Sequence, residues 1–429
     1  MTFDTSNKEC KWYVEGMLYY TLTLDGNYPF VFGSGSYQSS NTVNFGQKPF
    51  KFPPPDDFQL LNLSTVQPEK VIARPDQYVK ANIWSGDNNT RDLDIGMKPD
   101  LVWIKCRSDA AGHRVFDSVR GPRNSLRTSS TDGQDTVSNF GYVSSFNNNG
   151  FTLTPGGYTG YESGDVNMTG RTYVGWTWKA GGSSGTFNVD GEGYATTAAA
   201  GITEGNIALA GASVGRESGF SIVTFTGDST TTGTIGHGLN KKPQFVIVKD
   251  LVNGDDYQTK VIDSNLYLKL NNMAQTGSTS YSNFTATDTL INLGYTWNND
   301  SSLHVAYSWH DVPGLQKFGT FVGNGTGTFI ELGFRPAIVL MKNTARNDSA
   351  WLIHDNARYP QNPSIYTMEP NTTDTETSAP TSREIDMLSN GFRTRGTSVA
   401  INESGSTIFY AAWAEAPTVN LYGAQANAR

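Results

Sequence analysis

One segment of this chain is written three times. Pro99-Asp-Leu-Val-Trp-Ile-Lys105, Pro243-Gln-Phe-Val-Ile-Val-Lys249 and Pro336-Ala-Ile-Val-Leu-Met-Lys342 all read proline, any residue, apolar, valine, apolar, apolar, lysine. Each copy follows a short strand pattern ending in glycine, at Ile83–Gly86, Val223–Gly227 and Gly319–Gly323. Each is followed 12 to 14 residues after the lysine by an acid, Asp117, Asp263 and Asp355. Each then reaches a turn with an aromatic, Asn149-Gly150-Phe151, Leu293-Gly294-Tyr295 and Asn390-Gly391-Phe392, and closes on an aromatic strand ending at Trp178, Trp309 or Trp413. Five landmarks in one order, three times over, mark three copies of one β-rich module.

The spacing agrees. The proline landmarks lie 144 and then 93 residues apart, and the first module is 13 residues longer than the second from proline to final tryptophan. The remaining 38 residues of the excess equal Gly181–Ser218, which reads as an inserted linker. A repeat of roughly 100 residues is too long for a solenoid unit and suits a small sandwich with its own core. The predicted architecture is all-β: tandem β-sandwich-like domains with a small N-terminal β piece. The boundaries are residues 1–60 for that piece, 78–180 for module 1 and 181–218 for the Gly/Ala/Thr-rich linker. Module 2 spans 219–313, module 3 spans 315–417, and 418–429 form a tail.

Composition supports this class. Glycine contributes 45 of 429 residues, aromatics 12% and charged residues only 17%. Long amphipathic helices need more Ala, Glu, Lys and Leu, whereas strand formers punctuated by Gly, Asn, Ser and Thr dominate here. The net charge of −8, with scattered Lys and Arg, argues against nucleic acid, whose binding rests on clustered cations. Two cysteines, Cys10 and Cys106, do not make a cystine scaffold. No apolar run approaches the ~20 residues of a membrane helix. Met1–Lys8 lacks the basic start and apolar run of a signal peptide, so synthesis in a cytoplasm and exit by assembly or lysis are expected.

In residues 1–60, Tyr13–Leu24 and Pro29–Phe32 read as strands, and Pro53-Pro54-Pro55 marks an exit towards the next domain. The linker holds few large apolar residues (Phe187, Tyr194, Ile202, Ile207, Leu209) and is either a flexible strap or a chain packing along its neighbours.

Side chains alternate in the motif strand, so Leu101, Trp103 and Lys105 share one face while Val102 and Ile104 share the other. Both faces are apolar, which predicts a central strand covered on both sides, with Val102, Val246 and Val339 equivalent and buried. The lysine is expected to lay its methylenes on the sheet and keep its charge in water. Trp103, Trp178, Trp309 and Trp413 read as core, with Trp176 and Tyr307 turned the same way and Ala411 in the third copy. Asp117, Asp263 and Asp355 read as turn acceptors for backbone amides rather than catalytic acids, because hydrolysis by carboxylates needs a specific second acid in the same cleft. Five histidines (His113, His237, His304, His310, His354) show no ligand spacing with the cysteines, and no phosphate loop or nucleophile elbow is present. No catalytic, cofactor or metal site is expected.

One loop stands apart: Pro155-Gly-Gly-Tyr158-Thr-Gly-Tyr161-Glu-Ser-Gly-Asp165. Two tyrosines among glycines can offer planar faces to a sugar or a protein, although tyrosines also fold back onto their own domain. The third module's counterpart is read as Tyr359–Glu384, another long surface excursion.

The repeated strand, Phe116–Pro122 and the ending Tyr173-Val-Gly-Trp-Thr-Trp-Lys-Ala-Gly-Gly182 resemble a β-rich repeat of virion proteins from phages of marine bacteria, especially cyanophages. Asn188–Gly201 is similar to that family's spacer, and Val43–Phe50 with Pro53–Pro55 and Phe58 resembles the end of the SPRY-type, concanavalin-like sandwich that often precedes the repeats. The resemblance implies a virion structural protein, an exposed tail-fibre or tail-appendage subunit contributing to host attachment. A capsid decoration or head fibre is the alternative, and a polysaccharide-degrading enzyme is further off. It also implies a shortened N-terminal piece anchored on other virion proteins. Expected partners are a host-surface glycan or protein and further copies of the chain in the particle, with no membrane insertion. The resemblance carries over no catalytic residue.

Overall fold

The computed structural model describes residues 2–4, 9–14, 17–23, 71–136, 139–261, 267–276, 284–294, 297–298, 301–378 and 382–417. The readings of Pro29–Phe32, Val43–Phe50, Pro53–Pro55, Asp263, Tyr295 and the tail 418–429 lie outside the described residues. The chain divides into two compact units, residues 1–70 and 71–429.

In the first unit three antiparallel strands, Thr2–Asp4, Glu9–Val14 and Met17–Thr23, form one sheet. Glu9–Val14 and Met17–Thr23 pair as two strands where the sequence suggested one. Every residue of Met17–Thr23 is exposed, although five of the seven are Met, Leu or Tyr.

The second unit is all-β, with no α-helix among the described residues and a short 3-10 turn at Pro75–Gln77. Each module builds the same antiparallel set of four strands, which in module 2 is part of a nine-stranded sheet: an opening strand pairs with the tryptophan strand, then comes the motif strand, then the acid strand. In module 1 these are Val79–Ser85, Thr172–Trp178, Leu101–Cys106 and Arg114–Asp117. In module 2 they are Phe220–Thr226, Leu303–Trp309, Phe245–Asp250 and Gln258–Val261. In module 3 they are Gln316–Val322, Thr407–Pro417, Phe334–Asn343 and Leu352–Asp355. A three-stranded sheet closes each sandwich: Arg91–Asp94, Gly150–Thr154 and Tyr142–Asn147 in module 1 have counterparts in both other modules.

In modules 1 and 3 the Asn-Gly-Phe landmark sits at the start of the middle strand of this smaller sheet; in module 2 that strand is Leu290–Asn292, so Leu293-Gly294 follows it and is not the counterpart of Asn149-Gly150. A Cβ on Gly150 would lie 1.8 Å from the Leu93 carbonyl oxygen, and one on Gly391 would lie 2.0 Å from that of Ile330. Only glycine allows this approach, and it places Phe151 and Phe392 in the sandwich interior with no exposed surface.

Strand alternation then sorts the core. Val102 and Ile104 fill the interior of module 1, Val246 and Val248 that of module 2, and Val339 and Met341 that of module 3. The three valines are fully buried at equivalent places, as the motif requires. The opposite faces, with Leu101 and Trp103, Phe245 and Ile247, and Ile338 and Leu340, meet in one apolar cluster shared by all three modules. Its centre is Trp178, Trp309 and Trp413. Their ring centroids are 5.3, 6.2 and 6.5 Å apart and each pair is tilted by about 70°. Burying one such indole removes about 200 Å² from water, on the order of 5 kcal/mol. The sheets are therefore covered on both sides, on one side by their own sandwich and on the other by the neighbouring modules.

The linker packs rather than straps. Leu209–Gly215 adds antiparallel to the opening strand Phe220–Thr226, and Phe187–Val189 adds parallel beyond it. Phe187, Ile202, Ile207 and Leu209, four of its few large apolar residues, are buried in module 2's interior.

Candidate functional sites: the buried acids and the tyrosine loop

Each described landmark acid ends its strand at a module junction. Asp117 is fully buried. Its Oδ1 accepts the Val119 and Arg120 amides at 3.1 and 2.8 Å, the expected turn role. Its Oδ2 accepts Arg120 Nε at 2.5 Å and the Tyr307 hydroxyl of module 2 at 2.7 Å. Asp355 repeats the pattern: Oδ1 takes the Arg358 amide at 2.8 Å, and Oδ2 takes Arg358 Nε at 2.5 Å and Trp176 Nε1 of module 1 at 2.9 Å. Arg358 continues to Glu376, which accepts Arg107 of module 1.

So module 2 donates to the acid of module 1, and module 1 donates to the acid of module 3. The next step of that cycle would run from module 3, where position 411 is alanine and has nothing to donate, to module 2. Module 2 is also the copy whose acid is followed at three residues by Leu266 instead of arginine. Asp117 and Asp355 are turn acceptors as expected, and they are also joints between modules. With every oxygen occupied and no exposed surface, they have no room for a substrate. Sequence reasoning missed Arg120 and Arg358, although an Asp-x-x-Arg spacing in two of three copies was there to be read.

The motif lysines correct an expectation. Lys105, Lys249 and Lys342 are fully buried rather than reaching water. Each Nζ turns back onto the loop that follows and donates to the carbonyl four residues on, of Asp109, Asn253 and Arg346. Lys249 also donates to Thr131 of module 1 and Lys342 to Met273 of module 2. Desolvation pushes all three amines down to about 8.

The five histidines are all buried, and burial pushes each below its ordinary value, His237 to about 4 and His354 to about 3. They stay neutral in the fold and take a proton near pH 6.5 once unfolded. Their contribution to stability is complete above pH 6.5 and is lost as pH falls towards 4 and then 3, by about 1.4 kcal/mol per pH unit for each of these two. Urea unfolding at pH 7 and pH 5 is expected to show that loss, and equal stabilities would contradict it. His304 and His310 do not converge: their Nδ1 atoms contact the Ser302 and Asp311 carbonyls. Among the described residues no group of three His, Cys, Asp or Glu side chains is placed to hold a metal, and both cysteines are buried free thiols.

The tyrosine loop lies between Gly150–Thr154 and the tryptophan strand. Tyr158 and Tyr161 are 54% and 45% exposed. Tyr158 leans on Phe140, with centroids 5.3 Å apart, and Arg171 lies 4.8 Å from the centre of the Tyr161 ring. Tyr359–Glu384 is not its counterpart. That segment runs from the acid strand of module 3 to the smaller sheet, ahead of Asn390-Gly391, whereas the tyrosine loop follows Asn149-Gly150. The true counterparts are residues 293–302 and 395–406, against 155–171 in module 1.

No curated protein and no solved structure matches this chain. One family model does, from the start of module 1 to the end of module 3. By that match over residues 74–417 the chain belongs to the family described as a domain of unknown function (DUF7483).

Proposed function

We propose that this chain is a structural protein of a bacteriophage virion, an exposed tail-fibre or tail-appendage subunit that contributes to host-surface attachment. The observation that carries the reading is the use of Asp117 and Asp355 as fully occupied joints between modules. Repeated acids that lock modules into one body fit a subunit built for rigidity and display, not one built around a reactive cleft. The motif resemblance supplies the virion context, and the exposed apolar strand Met17–Thr23 fits an N-terminal region that seats on other virion proteins.

A capsid decoration or head fibre is the second reading. It is favoured by the gathering of three modules into one compact unit, with no sequence repeat that would form a shaft. Immunogold labelling of purified particles separates the two: label on the tail is expected, label on the head selects the second reading, and unlabelled particles reject both. A reducing-sugar assay on host envelope glycan is expected to show no release by wild type. Release of sugar by purified wild type would instead favour the enzyme.

A further inference from the structure

We propose that the module 1 loop of residues 155–171 is a carbohydrate platform in which Tyr158 and Tyr161 receive a neutral pyranose ring of a host-surface glycan. It rests on the attachment reading above and names its ligand. The loop has 17 residues where the equivalent loops have 10 and 12, and module 3's has no aromatic residue.

The loop is held by bonds within it and by one to Asn139. Gly156 N donates to the Glu162 carbonyl, Tyr158 N to Asn139 O at 3.1 Å, Tyr161 N to Tyr158 O at 2.9 Å and Gly160 N to Glu162 Oε1 at 2.9 Å. Gly160, at φ 85°, makes the turn between the two rings. Each ring is braced, by Phe140 or by Arg171, yet about half of it stays in solvent. Rings held in place lose little freedom on binding, which is what a preorganised contact requires.

Chemistry narrows the ligand. The face of an aromatic ring is electron-rich and accepts the C–H face of a sugar. The nearby cation Arg171 is already paired with Asp109, so the loop offers no free positive charge for an anionic ligand. The residues beside the two rings are Gly157, Thr159, Gly160 and Glu162, without the wide apolar patch that a protein hot spot gathers around its aromatic anchors.

The test uses the full chain against protein-free host-envelope polysaccharide, maltohexaose and cellohexaose. Wild type is compared with the Tyr158→Ala/Tyr161→Ala and Tyr158→Phe/Tyr161→Phe double variants, all checked for unchanged melting temperature. The alanine pair is expected to lose about thirtyfold in affinity, while the phenylalanine pair retains binding. Undiminished binding by the alanine pair would overturn the platform. So would a wild type that binds no saccharide, or that binds only protease-sensitive sites on cells, which would make the partner a protein. Labelled particles with no saccharide binding would remove this inference alone. Unlabelled particles with tyrosine-dependent binding would remove the virion reading and leave the platform.

Discussion

Val246→Asp is expected to leave residues 71–417 without a folded state. Val246 has no exposed surface and lies in the interior of module 2 among Val223, Val248 and Ala306. An unpaired carboxylate there costs several kcal/mol, and the lost valine burial adds about 2 kcal/mol. Together these rival the 5–15 kcal/mol that typically separates a folded domain from its unfolded chain. The damage should also spread. Phe245 and Ile247 flank Val246 on the same strand and face the shared core, where the Phe245 ring packs 5.4 Å from Trp309, 5.8 Å from Phe318 and 5.1 Å from Phe409. Losing this strand therefore withdraws support from module 3 directly and from module 1 through the tryptophan triangle. Wild type should melt in one cooperative transition, with a near-ultraviolet circular dichroism signal from the clustered indoles that the variant lacks. Limited proteolysis of the variant that releases intact modules 1 and 3 would instead show three independent cores.

Whatever depended on period two was legible in the sequence. Val102, Val246 and Val339 fall inside because alternate residues of a strand face opposite ways, and the apolar character of both faces announced a covered sheet. What covers the second face was not legible, because contacts between modules leave no local pattern. Leu101 and Trp103 look the same beneath another module as beneath a loop. Lys105, Lys249 and Lys342 were misread for a related reason. A lysine at a strand end normally reaches water, and the carbonyls that bury these come from a turn four residues on and, for two of them, from the preceding module. The linker showed its few large apolar residues but not their destination. Arg120 and Arg358 needed only a comparison of the residues after each acid, and the order of landmarks already separated Tyr359–Glu384 from the tyrosine loop. The glycine of Asn149-Gly150-Phe151 was visible as a turn, while its role in letting the Leu93 carbonyl approach is a matter of tertiary distance.

The second large effect is expected at the joint between modules 1 and 3. Asp355→Ala removes the carboxylate that accepts Arg358 Nε and Trp176 Nε1, and the Arg358 side chain has no exposed surface. Arg358 keeps Glu376 and the Ile353 carbonyl as partners, at 3.1 and 2.8 Å, but its closest counter-charge is gone and the indole N–H is left without an acceptor. Breaking a buried pair from one side costs about 3–5 kcal/mol, mostly from the charge left behind. Trp176→Phe removes a neutral donor and part of a fully buried ring but leaves no charge unpaired, and should cost less, about 1–3 kcal/mol. The order of the two losses is therefore the informative result. Asp355→Ala/Arg358→Met removes both charges and should be markedly less destabilised than the sum of its single changes, with a coupling of up to about 3 kcal/mol in urea unfolding. If the double variant loses the full sum, the Arg358 pair adds nothing to the fold of module 3. If Asp355→Ala couples to Trp176→Phe as well, and Asp117→Ala to Tyr307→Phe, the acids hold the modules together as well as their own turns. In that case the acid-to-neighbour contact, rather than the linker sequence, fixes how the three copies are arranged.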